Sequence, residues 1–278
     1  MANNQPENYK ASIIIAFYNN IEALKLVFKA LEKQTENNFE VIIADDGSKS
    51  EIVKELNTLS EQSTLTIQHL WQEDIGFRKN RCLNKAVQAS RSNYLIFIDG
   101  DCIPQCYFIE DHLSEAEQGV CLNGRRADLS HKMSQLLREC DNPACFISQH
   151  RTKLLFDYLF GNGKNIEKGF RITNTPLRKA IQKKNKGLVG CNFSLFKQDL
   201  FNINGFDQRY EAPGIGEDSD IDFRLGIAGI MIKPLFYKAN QVHLQHKELP
   251  RSDVNSALFK KIRKEKKAWT NFGIVQNK

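Results

Sequence analysis

Short apolar segments alternate with helical patterns along the first hundred residues. The apolar segments, each of the length of a buried strand, are residues 12–17, 39–44, 65–70 and 94–98. Between them apolar side chains return every three or four positions, as from Leu24 to Leu31, and we expect the third of these helices to begin at Gly76. Parallel strands joined by helices require right-handed crossovers. The pattern therefore predicts an α/β fold with a doubly wound, mostly parallel central sheet and flanking helices.

The second half of the chain is less regular. Between residues 123 and 186, basic residues, Asn and Gly interrupt the apolar pattern, and we interpret this segment as helices and loops laid over the site rather than as a separate domain. Strand patterns return at residues 190–196 and 231–237. The predicted parts of the chain are a domain over residues 1–250, its halves at 11–123 and 124–250, and a tail at 251–278.

The composition places the chain among globular proteins. With 278 residues, 41% hydrophobic and 26% charged, it can bury a large core, which excludes a disordered, collagen-like or coiled-coil protein. Residues 12–18 form the longest apolar run and are too few to span a bilayer, and residues 1–10 lack the apolar part of a secretory signal. The seven cysteines contain no C-x-x-C pair, so no disulfide framework or structural zinc site is indicated. We expect a cytoplasmic protein.

The net positive charge is concentrated in the tail. The whole chain carries +6, and residues 251–278 contain eight basic residues against Asp253 and Glu265, which is also +6. Apolar residues such as Phe259 and Ile262 recur there at near-helical spacing, so the tail is either a helix packed on its own domain or a peripheral contact with an anionic membrane at the inner face of the plasma membrane. Nucleic acid is not an expected partner, because no second basic stripe accompanies the tail.

Two acidic clusters follow predicted strands. Asp99-Gly100-Asp101 ends the fourth strand, where ligands bind in such sheets, and it suits either a metal-bound diphosphate or an ordinary turn. The second cluster contains Glu217, Asp218, Asp220 and Asp222. A helix N-terminus explains one or two of these acids but not four, so we expect a cation or a catalytic base there.

Histidine and arginine side chains offer further candidates. His243 and His246 point to opposite faces of an ideal strand, so at most one of them would bind a metal unless the chain turns there. Arg78 and Arg81, near a helix start, would either reach a phosphate or hold a loop. The chain has neither G-x-G-x-x-G after the first strand nor a Walker lysine loop, so dinucleotide and P-loop binding are not indicated.

In this order, several segments resemble the inverting nucleotide-sugar glycosyltransferases of family 2, which have the GT-A fold. The matching segments are residues 12–19, 45–48, 76–84, 97–101, 204–207 and 216–218. The second half is similar to the catalytic domains of bacterial chondroitin polymerases and β1,4-galactosyltransferases. The resemblance implies that residues 11–123 bind the nucleotide sugar and that residues 124–250 bind the acceptor and supply the catalytic base.

The resemblance also implies roles for single residues. Asp218 would be the catalytic base and Glu217 would contact sugar hydroxyls, while Asp101 and His246, with help from His243, would hold Mn²⁺ or Mg²⁺. The nucleotide-sugar side would be formed by Phe17, Tyr18, Asn19, Asp45, Asp46, Arg78, Arg81, Asn84, Asp99 and Gly100, with either Asp45 or Asp46 on uracil and either Phe17 or Tyr18 beside the base. Many relatives have Arg-Asn where this chain has Leu83-Asn84, so Arg78 or Arg81 would replace that arginine.

The implied activity is metal-dependent, inverting transfer from a UDP-sugar of the galactose, glucose or N-acetylhexosamine type. The acceptor would be a hydroxyl of a glycan or a lipid-linked glycan, in surface polysaccharide or lipooligosaccharide synthesis. Two alternatives stay open at this point, namely a nucleotidyltransferase acting on a sugar phosphate and a non-catalytic carbohydrate-binding module of the same fold. Residues 12–20 lack the glycine-rich phosphate loop that a nucleotidyltransferase needs.

Overall fold

A seven-stranded sheet with helices on both faces organises the computed structural model, which describes residues 9–182, 186–247 and 253–276. The strands are β1 (Ala11–Phe17), β2 (Phe39–Asp45), β3 (Ile67–Trp71), β4 (Tyr94–Asp99), β5 (Cys102–Pro104), β6 (Val120–Asn123), β7 (Ala127–Asp128), β8 (Asn192–Phe196), β9 (Met231–Pro234) and β10 (Gln241–His243). The helices are α1 (Ile21–Leu31), α2 (Ser50–Gln62), α3 (Lys79–Ala89), α4 (Phe108–Ser114), α5 (His131–Arg138), α6 (Phe146–Gln149), α7 (Arg151–Leu159), α8 (Thr175–Ile181), α9 (Lys197–Asn202), α10 (Asp218–Ile227) and α11 (Val254–Glu265), with 3₁₀ turns at Pro143–Cys145 and Ile166–Gly169.

The strand order confirms the predicted α/β sheet. The large sheet runs β3-β2-β1-β4-β8-β6-β9, and β5, β10 and β7 form a smaller second sheet. β1 pairs in parallel with β2 and β4, whereas β8 is antiparallel to both β4 and β6. The first four strands therefore end at one edge, which is where their carboxyl-terminal residues meet.

Alternating side chains of the central strands fill two cores. Ile13 and Ile15 of β1 pack in the same core as Leu24 of α1, whereas Ile14 packs on the other face with Val87 of α3. Successive strand residues point to opposite faces, so a strand buried on both sides must be apolar throughout. This explains the continuous apolar runs that predicted these strands.

Residues 123–186 extend the α1 side of the fold. Phe146, Leu154 and Ile166 belong to the same hydrophobic core as α1. The segment does not lie over the site as a whole, because most of its apolar residues pack into that core. Arg126 and Asp128 are the residues that bring it to the site.

Several predicted element boundaries differ from the structure, among them those of α3, β8 and β9. α3 begins at Lys79 rather than at Gly76, because Asp46 accepts a hydrogen bond from the Arg78 backbone N–H and Gln72 donates to the Arg78 carbonyl, which keeps the preceding residues in a loop. β9 ends at Pro234 instead of residue 237, because Pro234 has no N–H with which to continue the ladder. β8 begins two residues later than predicted.

The described part of the tail packs on its own domain. Ile262 of α11 is buried, and the Asn255 side chain donates to the Ala212 carbonyl at 2.7 Å. After α11, the Thr270 hydroxyl donates to Asp207 at 2.7 Å. These contacts favour the packed alternative, and the membrane contact expected for the tail is not supported. Arg251 and Lys278, which were counted in its charge, lie outside the described residues.

No helix in the described ranges is both long and apolar enough to cross a membrane.

A buried ion pair connects α10 to the loops behind it. Asp220 and Arg224 are each 1% exposed, and the Arg224 Nε donates to Asp220 at 2.7 Å. The remaining guanidinium nitrogens donate to the carbonyls of Ile203 and Gly205, each at 2.8 Å. Arg224 thus satisfies backbone acceptors that water does not reach.

Arg224→Met should lower the free energy of unfolding by about 3–5 kcal/mol, because it leaves the buried Asp220 carboxylate without its cation and removes the guanidinium donors from two backbone carbonyls. Urea unfolding followed by circular dichroism measures the loss. The matched control is Lys261→Met, which removes the exposed i, i+4 pair with Glu265 and should cost less than about 0.5 kcal/mol. A loss below about 1 kcal/mol in Arg224→Met would contradict the prediction.

Candidate active site

A cleft of about 600 Å³ opens where β1, β2 and β4 end. The parts of the chain that line it include Phe17, Tyr18, Asn20, Asp46, Asp74, Phe77, Lys79, Asp99, Gly100, Asp101, Arg126, His243 and His246. Eight of the residues predicted from sequence meet there. The cleft therefore lies at the edge of the sheet that the strand pattern indicated.

The loops after β1 and β2 are tied to each other. Asn19, in the left-handed conformation with φ of 56°, receives the Lys49 N–H on its side-chain oxygen at 2.9 Å. Its own N–H donates to the Ser48 hydroxyl at 2.8 Å. Asn19 positions the loop and is not among the described residues that line the cleft, which differs from its predicted contact with the nucleotide sugar.

Of the two adjacent aspartates, Asp46 is the one that reaches the cleft. Asp45 is fully buried, accepts the Ser48 N–H at 2.8 Å and faces His69 at 2.9 Å. Asp46 lines the cleft and accepts from the Gln72 side chain and the Arg78 N–H. Burial raises the pKa of Asp46, and these hydrogen bonds offset it only in part. Of the two, Asp46 is therefore the one whose carboxylate is open to the cleft, and a nucleotide contact by either residue stays a prediction.

Two aromatic rings line the same end of the cleft. Tyr18 is 52% exposed, and its hydroxyl donates to Asp74 at 2.9 Å, which raises the pKa of Tyr18. Phe17 is buried beneath Gly100, where a Cβ would lie 3.3 Å from the Phe17 ring and 3.2 Å from the Ala16 carbonyl. Tyr18 thus offers an open ring face, whereas Phe17 forms the floor.

Asp101, His243 and His246 converge on one point. Asp101 Oδ2 lies 3.0 Å from His246 Nε2 and 3.5 Å from His243 Nε2, and the two Nε2 atoms are 3.1 Å apart. Neighbouring ligands of an octahedral ion with bonds of about 2.1 Å are about 3.0 Å apart, so these three atoms fit a divalent cation. β10 ends at His243 and the chain turns, which brings both imidazoles to the same side.

The outer nitrogen of each imidazole is held by an oxygen. His243 Nδ1 lies 3.1 Å from Asp128 Oδ1, and His246 Nδ1 lies 2.9 Å from the Lys247 carbonyl. A proton on each Nδ1 leaves Nε2 free to coordinate, which is the usual arrangement behind metal-binding histidines. Burial lowers the pKa of His243, but its hydrogen bonds with Asp101 and Asp128 outweigh burial and raise the pKa to about 9.

Lys79 joins the two acidic clusters. Its ammonium donates to Asp99 at 2.8 Å and to Glu217 at 3.0 Å. Burial lowers the pKa of Lys79, but the two carboxylates outweigh burial and raise it. Glu217 precedes α10, and its Oε2 is buried without a hydrogen-bond partner among the described residues. Burial raises the pKa of Glu217 despite Lys79.

Asp218 begins α10 beside Glu217. Its Oδ1 accepts the Ser219 N–H at 2.7 Å and the Ser219 hydroxyl at 3.2 Å, while its Oδ2 has no hydrogen bond within the described chain. A Cβ at Gly190 would lie 3.3 Å from Glu217 Oε1 and 3.7 Å from Asp218 Cβ. The absence of a side chain at Gly190 therefore leaves room for these two acids.

Besides Asn19 and Asp45, three further predicted nucleotide-sugar residues are not among the described residues that line the cleft. Asn84 is buried and exchanges two hydrogen bonds with the Phe206 backbone, each of 2.8 Å, so its amide holds the 204–207 loop. The side chains of Arg78 and Arg81 line a separate cleft. None of these three lines the cleft in which the Arg-Asn pair of relatives was expected to contact the nucleotide sugar.

Sequence reasoning missed two cations of the site. Lys79 follows Gly76-Phe77-Arg78, and its position at the end of a strand-to-helix loop was a usable signal. Arg126 lies in the irregular segment and carried no such signal. It lines the cleft and donates to Asp128 at 2.9 Å.

Two family profiles match the chain. Residues 12–203 match the profile described as glycosyl transferase family 2, and residues 175–247 match the one described as N-terminal domain of galactosyltransferase. The second match contains Glu217, Asp218, His243 and His246.

The curated relatives include two chondroitin synthases. The one from Escherichia coli is 26% identical over 236 residues, which is 77% of this chain and 32% of that protein. The one from Pasteurella multocida strain Pm70 is 23% identical over 243 residues, which is 82% of this chain and 24% of that protein. The chain thus spans about a quarter to a third of the length of these relatives.

Solved structures confirm the GT-A fold. Staphylococcus aureus TarS 1-349 in complex with UDP superposes with a TM-score of 0.54 at 15% identity, covering 84% of this chain and 60% of that one. The mannosyltransferase PcManGT from Pyrobaculum calidifontis, in complex with GDP-Man and Mn²⁺, gives 0.55 at 14% identity, covering 87% of this chain and 58% of that one.

Lys79→Met should lower the free energy of unfolding by about 2–3 kcal/mol at pH 8, because two partly buried carboxylates lose their cation. Without Lys79 the folded-state pKa of Glu217, which burial already raises, rises further. A carboxyl whose folded pKa exceeds its unfolded value binds protons preferentially in the folded protein, so lowering the pH restores stability. We therefore expect a smaller loss at pH 5, measured by urea unfolding at both pH values.

Lys85→Met is the matched control. Lys85 is exposed on the same helix, so its replacement should change stability by less than about 0.5 kcal/mol at either pH. Equal losses for Lys79→Met at pH 5 and pH 8 would show that the lost cation is not the cause.

Proposed function

Because the chain belongs to glycosyl transferase family 2, we propose that it transfers a sugar from a UDP-sugar to an acceptor hydroxyl, with inversion and with Mn²⁺ or Mg²⁺. The observation that carries this proposal is the meeting of Asp101, His243 and His246 with Asp99 and Lys79 around one cleft, where Lys79 also contacts Glu217. Family membership weighs against a nucleotidyltransferase. The oxygens of Glu217 and Asp218 that have no hydrogen bond within the described residues favour an enzyme over a module that only binds carbohydrate.

Asp46 and Tyr18 are the proposed contacts of the nucleotide base. The Asp46 carboxylate is an acceptor for the imide N–H of uracil, and the open face of Tyr18 is available for stacking. Phe17 and Gly100 form the floor below. The structural relative TarS was solved in complex with UDP, which supports a nucleoside diphosphate as the ligand of this fold.

Asp101, His243 and His246 are the proposed metal ligands. Their three coordinating atoms lie 3.0–3.5 Å apart, as the fit to a divalent cation requires. A bound cation would supply a Lewis acid for the negative charge that develops on the leaving diphosphate. Lys79 and Arg126 add fixed positive charge to the same end of the cleft. The relative PcManGT was solved with GDP-Man and Mn²⁺, which supports Mn²⁺ as the first ion to test.

Asp218 is the proposed catalytic base and Glu217 the proposed sugar contact. The two Ser219 hydrogen bonds fix one oxygen of Asp218, and the other oxygen is left to take the proton of the attacking hydroxyl. The unpartnered Oε2 of Glu217 is an acceptor for a donor or acceptor sugar hydroxyl. A single displacement by the acceptor hydroxyl inverts the anomeric carbon, so an α-linked UDP-sugar gives a β-linked product.

The proposed donor is a UDP-sugar of the galactose, glucose or N-acetylhexosamine type, and the proposed acceptor is a glycan or lipid-linked glycan. Two curated relatives are named chondroitin synthases, which supports growth of a surface polysaccharide or lipooligosaccharide as the setting. We propose residues 11–123 as the nucleotide-sugar half and residues 124–250 as the acceptor half of a domain that includes residues 1–250.

Asp128→Asn should weaken Mn²⁺ binding by about tenfold or more, because the neutral amide is a poorer acceptor for the His243 Nδ1–H that orients the imidazole. The measurement is the Mn²⁺ concentration that half-saturates the rise in Tm produced by UDP, since a ligand that binds the folded state stabilises it. UDP should raise the Tm of the parent protein only when Mn²⁺ or Mg²⁺ is present.

Asp141→Asn is the control for this charge change. Asp141 is exposed, so the variant should require the same Mn²⁺ concentration as the parent protein. An unchanged Mn²⁺ requirement in Asp128→Asn would remove Asp128 from the metal site. A rise in Tm with UDP that survives excess chelator would remove the metal from the proposal.

Asp218→Asn should reduce sugar transfer by about 10²–10⁴-fold, because an amide does not accept the proton of the acceptor hydroxyl. UDP release from a panel of UDP-sugars, with and without acceptor glycans, measures the loss. Binding of UDP and Mn²⁺ should be retained, as judged by the same Tm shift.

Asp222→Asn tests whether any acid of α10 has this effect. Asp222 lies one turn further along the helix and accepts the Leu188 N–H, which an asparagine oxygen also accepts. We expect near-normal transfer in this variant. Normal turnover in Asp218→Asn would overturn the assignment of the base.

A further inference from the structure

A second cleft, here named the arginine cleft, lies beside the start of α3. It has a volume of about 310 Å³, and its walls include Arg78 from the loop before α3, Arg81 from α3, Gln208 and Arg209 from the loop before α10, and Phe272 from the C-terminal segment. The Gln208 N–H donates to the Phe272 carbonyl at 2.9 Å, and its side chain donates to the Gly273 carbonyl at 2.8 Å. The cleft is therefore built by fixed backbone rather than by chance contacts.

The charge of the arginine cleft is positive and partly unused. The Arg81 side chain is exposed and makes no hydrogen bond or ion pair within the described chain. Arg78 donates one nitrogen to the Glu73 carbonyl, and its buried Nε has no partner among the described residues. Glu211 is the one carboxylate among the residues that line this cleft. Two guanidinium groups are thus available to an anion.

Arg209 is held in place by its neighbours. Its Nε and Nη2 donate to Asp207 at 2.9 and 2.6 Å, and its guanidinium lies 4.1 Å from the centre of the Phe272 ring. This arrangement fixes the wall opposite Arg78 and Arg81. Guanidinium groups in a fixed position bind carboxylates and other oxyanions through paired N–H donors.

The arginine cleft adjoins both parts of the candidate active site. Arg78 lines it. The next residue, Lys79, contacts Glu217 and lines the larger cleft at the ends of β1, β2 and β4, here named the donor cleft. On the other wall, Tyr210 follows Arg209, packs against Gly216 and donates to Asp220 of α10. A group bound in the arginine cleft therefore lies next to the segment that carries the proposed base.

We propose that the arginine cleft binds an acidic sugar of the acceptor glycan, so that the chain prefers an anionic acceptor to a neutral one. The donor cleft contains the proposed metal ligands and the proposed nucleotide-base contacts Asp46 and Tyr18, which leaves the arginine cleft for the other substrate. This inference rests on the proposed function only in describing the glycan as the acceptor. The binding of an acidic glycan can be measured without any sugar transfer.

The experiment compares a chondroitin hexasaccharide with the same hexasaccharide after reduction of its carboxyl groups. Isothermal titration, in the presence and absence of UDP and Mn²⁺, should show tighter binding of the acidic form. Arg81→Gln should weaken that binding by about tenfold, which corresponds to the loss of one charge-assisted contact. The same variant should leave the affinity for the reduced form unchanged. Added salt should reduce the difference in affinity between the acidic and the reduced glycan.

Lys85→Gln is the matched control, because it removes one positive charge from the same helix one turn away from the cleft. It should bind both glycans as the parent protein does. Equal affinity of the parent for the two glycans, or equal losses in Arg81→Gln and Lys85→Gln, would overturn the inference. Failure of the proposed function has a different signature, namely no Tm shift with UDP and Mn²⁺ while the acidic glycan still binds.

Discussion

The candidate site depends on the contacts that the ammonium of Lys79 makes with two carboxylates. This ammonium lies between Asp99, at the end of β4, and Glu217, which is 138 positions further along the chain than Lys79. Two carboxylates that share one cation would otherwise repel each other. Lys79 makes their proximity tolerable. The first turn of α10, with Asp218, is thereby fixed beside the strand that leads to Asp101.

The geometry of the proposed metal site depends on supports outside its three proposed ligands. Asp128 and the Lys247 carbonyl hold the outer nitrogens of His243 and His246, so that both inner nitrogens face Asp101. Asp128 belongs to β7, which pairs with β10 in the small second sheet. That sheet therefore helps to position the proposed ligands. The same principle applies at α10, where Arg224 and Asp220 anchor the helix from behind.

The sequence predicted most of the fold because burial on both faces forces a simple pattern. A strand such as β2 is buried at every position, so its residues are apolar almost without interruption. The antiparallel direction of β8 and the start of α3 were not readable in this way. They depend on partners remote in the chain, such as β6 for the strand and Asp46 for the loop before Lys79.

By itself, the sequence determined that the acids at residues 99–101 follow a strand and that a second acidic cluster begins a helix. It could not choose between Asp45 and Asp46, or show that His243 and His246 face each other. Those outcomes were decided by the tertiary structure, because which of two neighbours is buried and where a chain turns are set by packing against distant segments. Periodicity records which residues face a core, whereas the positions of polar groups around a cleft depend on contacts that have no period.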